Sequence, residues 1–159
     1  PAAYTDLIAE WLGGREYQEH TAWDLYGGVG LFVPVLAHAV QGKVISVDYS
    51  PAATAGEQPG LADCDVEVKS AKVEHVAAQL PKPGAVVLDP PRTGAGEDVI
   101  RSVAAAAPQA VVHVGCDPAT FARDLGYWNR HGYGIEKMAL INAFPGTHHF
   151  ETIALITPA

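Results

Sequence analysis

The sequence predicts an α/β fold: a doubly wound, mostly parallel, Rossmann-like sheet of seven strands that ends in an antiparallel hairpin. Three observations lead there. Segments of helical periodicity alternate with short apolar runs along the chain, the pattern of a parallel sheet crossed by helices. The last two strand-like runs follow one another with no helix between them, which makes a hairpin. At 159 residues and 48% apolar content, the chain is long enough to bury about two-thirds of its unfolded surface in one domain. A single domain over 1–159 is expected, with no repeat, linker or low-complexity tract.

Thr5 to Leu12 carries Leu7, Ile8, Trp11 and Leu12 on one helical face, with Thr5 as its expected N-cap and Gly13-Gly14 as its stop. Thr21 to Tyr26 reads as a short buried strand, Leu31 to Ala39 as an apolar helix, and Lys43 to Val47 as a strand ending at Asp48. Pro59 and Gly60 interrupt the helix expected next. Val66 to Lys69 is a strand, and Val73 to Leu80 a helix with Val73, Val76, Ala77 and Leu80 inward. Ala85 to Leu88 is a strand that Asp89-Pro90-Pro91 must end, because proline cannot donate to a ladder. A helix over Asp98 to Ala107 and a strand over Ala110 to Val114 follow. Pro118 suits a first helical position, with Asp117 as N-cap of a helix to about Trp128. Ile135–Ile141 and Phe150–Ile156 form the closing hairpin.

In open α/β sheets ligands sit beyond the carboxyl ends of the strands, and four such ends carry unusual residues. Asp24-Leu25-Tyr26-Gly27-Gly28-Val29-Gly30 is a glycine-rich strand-to-helix turn that lets backbone approach a nucleotide, and Asp48 ends the next strand where a carboxylate takes ribose hydroxyls. Val33 stands where a dinucleotide fingerprint has its third glycine, which favours a nucleoside without a pyrophosphate, such as S-adenosylmethionine, over NAD or FAD. A tight turn with a capping Asp is the plain alternative. Asp89-Pro90-Pro91-Arg92 fixes a carboxylate over the sheet edge, able to bond a planar base, or else is only a turn.

Cys116 lies between a strand and the start of a helix, whose amide dipoles favour a thiolate. Cys64 reads as structural. Glu151 opens the apolar run Thr152 to Ile156, so it is partly desolvated, as suits a general base. His148 and His149 lack a third ligand at convincing spacing, so no metal is expected.

Ten Lys+Arg against eighteen Asp+Glu give a net charge of −8, the wrong sign for gripping nucleic acid through its phosphates. Two cysteines exclude a disulfide scaffold. The longest apolar stretch, Leu31 to Val40, is broken by Pro34 and His38, so no membrane span is expected. With no signal peptide visible, a cytoplasmic protein is the default. A chain that opens at Pro1 and has its one Met at position 138 is expected to be a piece of a longer protein.

Together these motifs resemble the bacterial S-adenosylmethionine-dependent RNA uracil-5-methyltransferases, which make 5-methyluridine in tRNA and rRNA. Asp24 to Gly30 looks like the family's first cofactor motif and Asp89 to Arg92 like its D-P-P-R. Gly115-Cys116-Asp117-Pro118-Ala119-Thr120-Phe121-Ala122-Arg123-Asp124 is similar to its nucleophile motif, usually S-C-N-P-A-T-x-A-R-D. Phe144-Pro145, His148 and Glu151-Thr152 resemble its closing F-P-x-T-x-H-x-E-T. Here Gly27 stands where the family often has Cys, and Ser70-Ala71-Lys72 where it tends to have an acidic residue near the adenine.

The resemblance implies a class I methyltransferase fold and a covalent mechanism. Cys116 would add to C6 of a uracil and Glu151 would remove the C5 proton. Asp89 and Arg92 would orient the base. Asp24, Tyr26, Gly28, Gly30, Asp48 and Asp89 would bind the cofactor. RNA would be held mainly by regions outside this chain. Three other readings stay open: a base-amino methyltransferase using Asp-Pro-Pro, a nicotinamide-dependent oxidoreductase, and a non-catalytic RNA-binding module.

Overall fold

The computed structural model describes residues 2–49, 63–142, 146 and 150–159. Seven strands form one sheet: β1 Thr21–Leu25, β2 Lys43–Asp48, β3 Val66–Ser70, β4 Ala85–Leu88, β5 Ala110–Gly115, β6 Tyr133–Asn142 and β7 Phe150–Pro158. Their order is β3-β2-β1-β4-β5-β7-β6. The first five run parallel, and β7 lies antiparallel between β5 and β6. The hairpin therefore inserts its second strand into the sheet, leaving β6 at the edge. Among the described residues, five α-helices pack on it: α1 Ala2–Leu12, α2 Val33–Val40, α3 Val73–Val76, α4 Glu97–Ala105 and α5 Pro118–Arg130.

Each face of the sheet has its own core. On one, Ile8, Trp11 and Leu12 of α1 and Leu36 of α2 pack over Val87, Val112, Val114, Ile153 and Leu155. On the other, Val99, Ile100 and Val103 of α4 and Phe121 and Trp128 of α5 pack over Val86, Leu88, Val111 and Ile156. Central strands are buried on both sides, so β4 and most of β5 read as unbroken apolar runs. Each fully buried Val, Leu or Ile there contributes about 1.5–3 kcal/mol.

Several sequence expectations shift. Helix α1 begins before Thr5, which is an interior residue and not the N-cap; Tyr4 extends the apolar stripe one turn back from Ile8. Helix α2 starts at Val33 rather than Leu31, because Pro34 is tolerated only in a first turn. The helix expected over Val73–Leu80 is α only to Val76 and tightens into a 3₁₀ turn at Ala77–Gln79, yet Val73, Ala77, Val76 and Leu80 still face the core. Strand β1 stops at Leu25 because Tyr26 turns into the left-handed region at φ 59°. Pro59 and Gly60 lie outside the described residues.

Candidate active site

Beyond the carboxyl ends of β1, β2 and β4 lies a cavity of about 540 Å³. Its walls include Tyr26, Asp48, Tyr49, Val73, Asp89 and Pro91. The glycine turn is held open by its backbone. Tyr26 and Gly28 have φ 59° and 55°, and Gly30 has φ 88°. A left-handed tyrosine is sterically costly, and such costs gather at functional sites. Gly28 N–H donates to Asp48 Oδ2 at 2.7 Å, which ties the turn to the end of β2.

Gly27 has no room for a side chain. A Cβ there would lie 2.4 Å from both Asp24 Oδ2 and Ser46 Oγ, so replacing it would displace that pair. Asp24 is fully buried beneath the turn and does not line the cavity, although its sequence position suggests a cofactor contact. Ser46 Oγ donates to its Oδ2 at 3.0 Å, while Oδ1 is buried with no hydrogen-bond partner among the described residues. Burial pushes this carboxyl up to about 7; the charges of Asp89 and Asp48 add to the rise, and the Ser46 hydrogen bond opposes it.

Asp89 follows β4 and is anchored by its N–H to Leu25 C=O at 3.3 Å. Its side chain keeps accessible surface on the cleft but is crowded by protein. That desolvation, with the charges of Glu151 and Asp48, lifts its carboxyl to about 7. Arg92 is exposed on the turn beyond.

This turn is clamped by the helix that follows the cysteine. Thr120 Oγ1 donates to Arg92 C=O at 2.8 Å, and Arg123 donates to Thr93 C=O at 2.8 Å. Buried Asp124 accepts from the N–H groups of Ala95 and Gly96 at 2.7 and 3.2 Å. Burial works to raise the Asp124 carboxyl, but bonds from His113, Ala95 and Arg123 outweigh it and hold it low. Trp128 Nε1 donates to His113 Nδ1 at 2.9 Å, which turns Nε2 toward Asp124 at 3.5 Å.

Cys116 stands between β5 and α5, half-buried and unoxidised. Asp117 caps α5, accepting from Ala119 and Thr120 N–H groups at 2.9 and 3.4 Å, and Pro118 opens the helix. Gly115 is required by packing, since a Cβ there would meet Phe121 Cδ1 at 2.4 Å. Cys64 packs against the core of the α1 face.

Glu151 reaches the same place from the far end of the chain. Gly115 pairs with Thr152 in the β5–β7 ladder, so the register carried one step further sets Glu151 across from Cys116. Phe144, Pro145, His148 and His149 lie outside the described residues.

Sequence reasoning misses Tyr4. It is 5% exposed and lies within electrostatic reach of Glu151, Asp89 and Cys116. Burial first, then Glu151, push its hydroxyl up to about 12, so it remains a donor. The available signal is its place four residues before Ile8. Tyr49, Lys72 and Glu74 are missed as well. All three line the cavity, and Lys72 Nζ sits 5.3 Å from the centre of the Tyr49 ring. Glu74 supplies an acidic group two positions after the stretch that lacks one.

The arrangement is a nucleoside-sized cleft with the carboxylates of Asp48, Glu74 and Asp89 in its wall, while Cys116 and Glu151 each neighbour the last pair of the β5–β7 ladder. Among the described residues no group of His, Cys, Asp or Glu is placed to hold a metal ion, and no helix is long and apolar enough to cross a membrane.

Comparison with known proteins adds to this geometry. The sequence model of the family described as tRNA (Uracil-5-)-methyltransferase matches residues 69–158, more than half of the chain. A Corynebacterium glutamicum protein named as an uncharacterized RNA methyltransferase is 52% identical over 98% of this chain and 39% of its own length. The structure of the Pyrococcus abyssi tRNA (uracil-54, C5)-methyltransferase in complex with S-adenosyl-L-homocysteine superposes with a TM-score of 0.79. It is 28% identical, over 98% of this chain and 37% of that one. The precorrin-6y C5,15-methyltransferase of Geobacter metallireducens shares the fold, with a TM-score of 0.79 at 14% identity over 99% of this chain and 88% of that one. The chain thus spans about two-fifths of the length of the curated relatives it matches.

Proposed function

This chain belongs to the tRNA (uracil-5-)-methyltransferase family, and from that premise we propose that residues 1–159 are the catalytic domain of a longer enzyme. In this reading the enzyme transfers a methyl group from S-adenosylmethionine to C5 of a uridine in tRNA or rRNA. The observation that supports it is the β5–β7 register: it pairs Gly115 with Thr152, the chain neighbours of Cys116 and Glu151, and Asp89 lies within electrostatic reach of Glu151.

The residues fit the cofactor. Asp48, Glu74 and Asp89 line the cleft with acidic groups suited to a cation. Asp48, tied to Gly28, is placed for ribose hydroxyls, and Tyr26, Tyr49 and Val73 offer surface for a purine. Bound S-adenosylmethionine supplies a methyl group on a positively charged sulfonium, the electrophile that an activated C5 attacks.

The chain's own residues do the rest. Uracil C5 is a poor nucleophile. Addition of Cys116 Sγ to C6 forms an Sγ–C6 bond and moves the electron pair onto C5 and its neighbouring carbonyl. Once C5 is methylated, Glu151 accepts the C5 proton. The released pair restores the C5–C6 double bond, the Sγ–C6 bond breaks, and the thiolate returns. Asp89, fixed by Pro90 and Pro91 and by the α5 clamp, orients the base, with Arg92 beside it. With a net charge of −8, RNA is held mainly by parts of the enzyme outside this chain.

The test uses the full-length protein with S-adenosylmethionine and RNA carrying 5-fluorouridine. Fluorine cannot leave as a proton, so the expected result is a covalent protein–RNA complex on a denaturing gel, mapping to Cys116 by mass. Cofactor binding with no adduct would overturn the uracil reading and favour methylation of a base amino group.

A further inference from the structure

The loop that leaves β4 turns at two glycines of positive φ, Gly94 at 81° and Gly96 at 84°, and α5 holds it along its length. Thr120 Oγ1 lies 2.8 Å from Arg92 C=O and 3.4 Å from Asp117 C=O. One hydroxyl thus spans the residue after Cys116 and the residue that ends Asp-Pro-Pro-Arg. Arg123 Nη2 donates to Thr93 C=O at 2.8 Å and to Asp124 Oδ1 at 3.1 Å. Asp124 in turn accepts from the N–H groups of Ala95 and Gly96. A Cβ at Gly94 would lie 2.5 Å from Arg123 Nη2 and 2.7 Å from Asp124 Oδ2, so only glycine lets the loop seat this deeply on the helix.

Asp124 is fully buried, and a buried carboxylate is costly unless donors surround it. Two of its donors are loop N–H groups, so the charge is satisfied only while the loop stays seated. The same carboxylate is registered to the strand that leads to Cys116. Trp128 Nε1 donates to His113 Nδ1 at 2.9 Å, and an accepting Nδ1 places the proton of a neutral imidazole on Nε2, 3.5 Å from Asp124 Oδ2. His113 pairs with Leu88, the residue before Asp89, in the β4–β5 ladder. Along the loop the work is divided: Asp89, Pro90 and Pro91 line the cleft, while the bonds from α5 begin at Arg92, whose side chain is exposed.

We propose that Thr120 and Asp124 are positioning residues for Arg92: they fasten its backbone to the start of α5, so that the arginine meets the RNA substrate from a fixed place beside Cys116. This rests on the proposed reading of Cys116 as nucleophile and Arg92 as a contact to the target base. Neither Thr120 nor Asp124 lines the cleft, so their loss acts on the RNA steps and leaves cofactor binding in place.

The experiment compares two variants of the full-length protein. Thr120→Val deletes the hydroxyl, keeps the side-chain shape at a half-buried position and leaves helix propensity nearly unchanged. Asp124→Asn keeps the shape too, but whichever way the amide turns, its NH2 group faces the N–H of Ala95 or Gly96. The rate of covalent trapping on 5-fluorouridine RNA is read at saturating S-adenosylmethionine, and cofactor affinity is read by calorimetry. Trapping should slow by about threefold to tenfold in Thr120→Val and by about tenfold or more in Asp124→Asn, with cofactor affinity unchanged. In an Arg92→Ala background Thr120→Val should add nothing further, whereas a merely structural role would slow trapping in both backgrounds.

Trapping at the wild-type rate in Thr120→Val would overturn the proposal, as would equal slowing with and without Arg92. If Asp124→Asn folds poorly, Thr120→Val alone decides. If the wild type traps RNA and Arg92→Ala slows trapping while Thr120→Val matches the wild type, only the positioning proposal fails. If the wild type traps nothing, or Arg92→Ala traps at the wild-type rate, the underlying reading fails and takes the proposal with it.

Discussion

On the β1–β2 side of the sheet, the cleft is shaped by backbone. Three residues with positive φ, Tyr26, Gly28 and Gly30, turn within five positions, and one hydrogen bond from Gly28 to Asp48 locks the turn to the next strand. On the β5–β7 side the functional candidates come from elements remote in the chain: Cys116 after β5 and Glu151 at the start of β7. The first side can be assembled by local chain geometry. The second exists only if the antiparallel ladder pairs Gly115 with Thr152. Binding and chemistry are therefore built by different means and should fail separately.

The harshest challenge to that separation is Cys116→Ala. It should abolish methylation, by about a thousandfold or more, while calorimetry shows cofactor affinity unchanged. Loss of cofactor binding in the same variant would mean that the two sides are one unit. Glu151→Gln should cut turnover by about a hundredfold or more and leave a methylated protein–RNA adduct on a denaturing gel; normal turnover without adduct would remove Glu151 from the chemistry.

The converse change is Asp48→Ala on the backbone side. Losing the carboxylate that holds Gly28 N–H should weaken cofactor affinity by about tenfold to a hundredfold, with kcat at saturating cofactor close to wild type. A fall in kcat with affinity intact would reverse the assignment of the two sides.

The smallest effect sharpens the electrostatics. Asp24 and Asp89 have carboxyls raised from 3.8 to about 7 in the folded chain. Between about pH 4 and pH 7 the folded state therefore binds more protons than the unfolded one, and stability falls as pH rises through that window. The urea midpoint should be lower at pH 8 than at pH 5, and Asp24→Asn should flatten the difference. A midpoint that rises with pH over this range would contradict the burial argument for Asp24.

Most of the architecture is legible in the residues because its signals are local. Asp117-Pro118 marks a helix start wherever it occurs, Pro90-Pro91 ends a strand, and the apolar runs of β4 and β5 allow little but a doubly covered sheet. The misjudged boundaries fall where local rules compete. Pro34 fits a helix only at its beginning, and Thr5 resembles a cap but lies inside a helix whose apolar stripe already includes Tyr4. Asp24 is a different case. Its place before the glycines suggests a ligand contact, but the same pattern puts it under the turn, where Gly27 leaves it room only beside Ser46.

The chain alone determined the strand–helix alternation, the cleft beyond the strand ends, and the residue types at each end, because hydrophobic period, proline and glycine act within a few residues of themselves. Tertiary structure alone decided that β7 enters between β5 and β6, that Gly115 pairs with Thr152 so that Cys116 and Glu151 lie at the same end of one ladder, and that α5 clamps the turn after Asp89. Those contacts depend on the register of a ladder and the docking of a helix, which are set by the burial of the whole core and leave no short-range mark in the sequence.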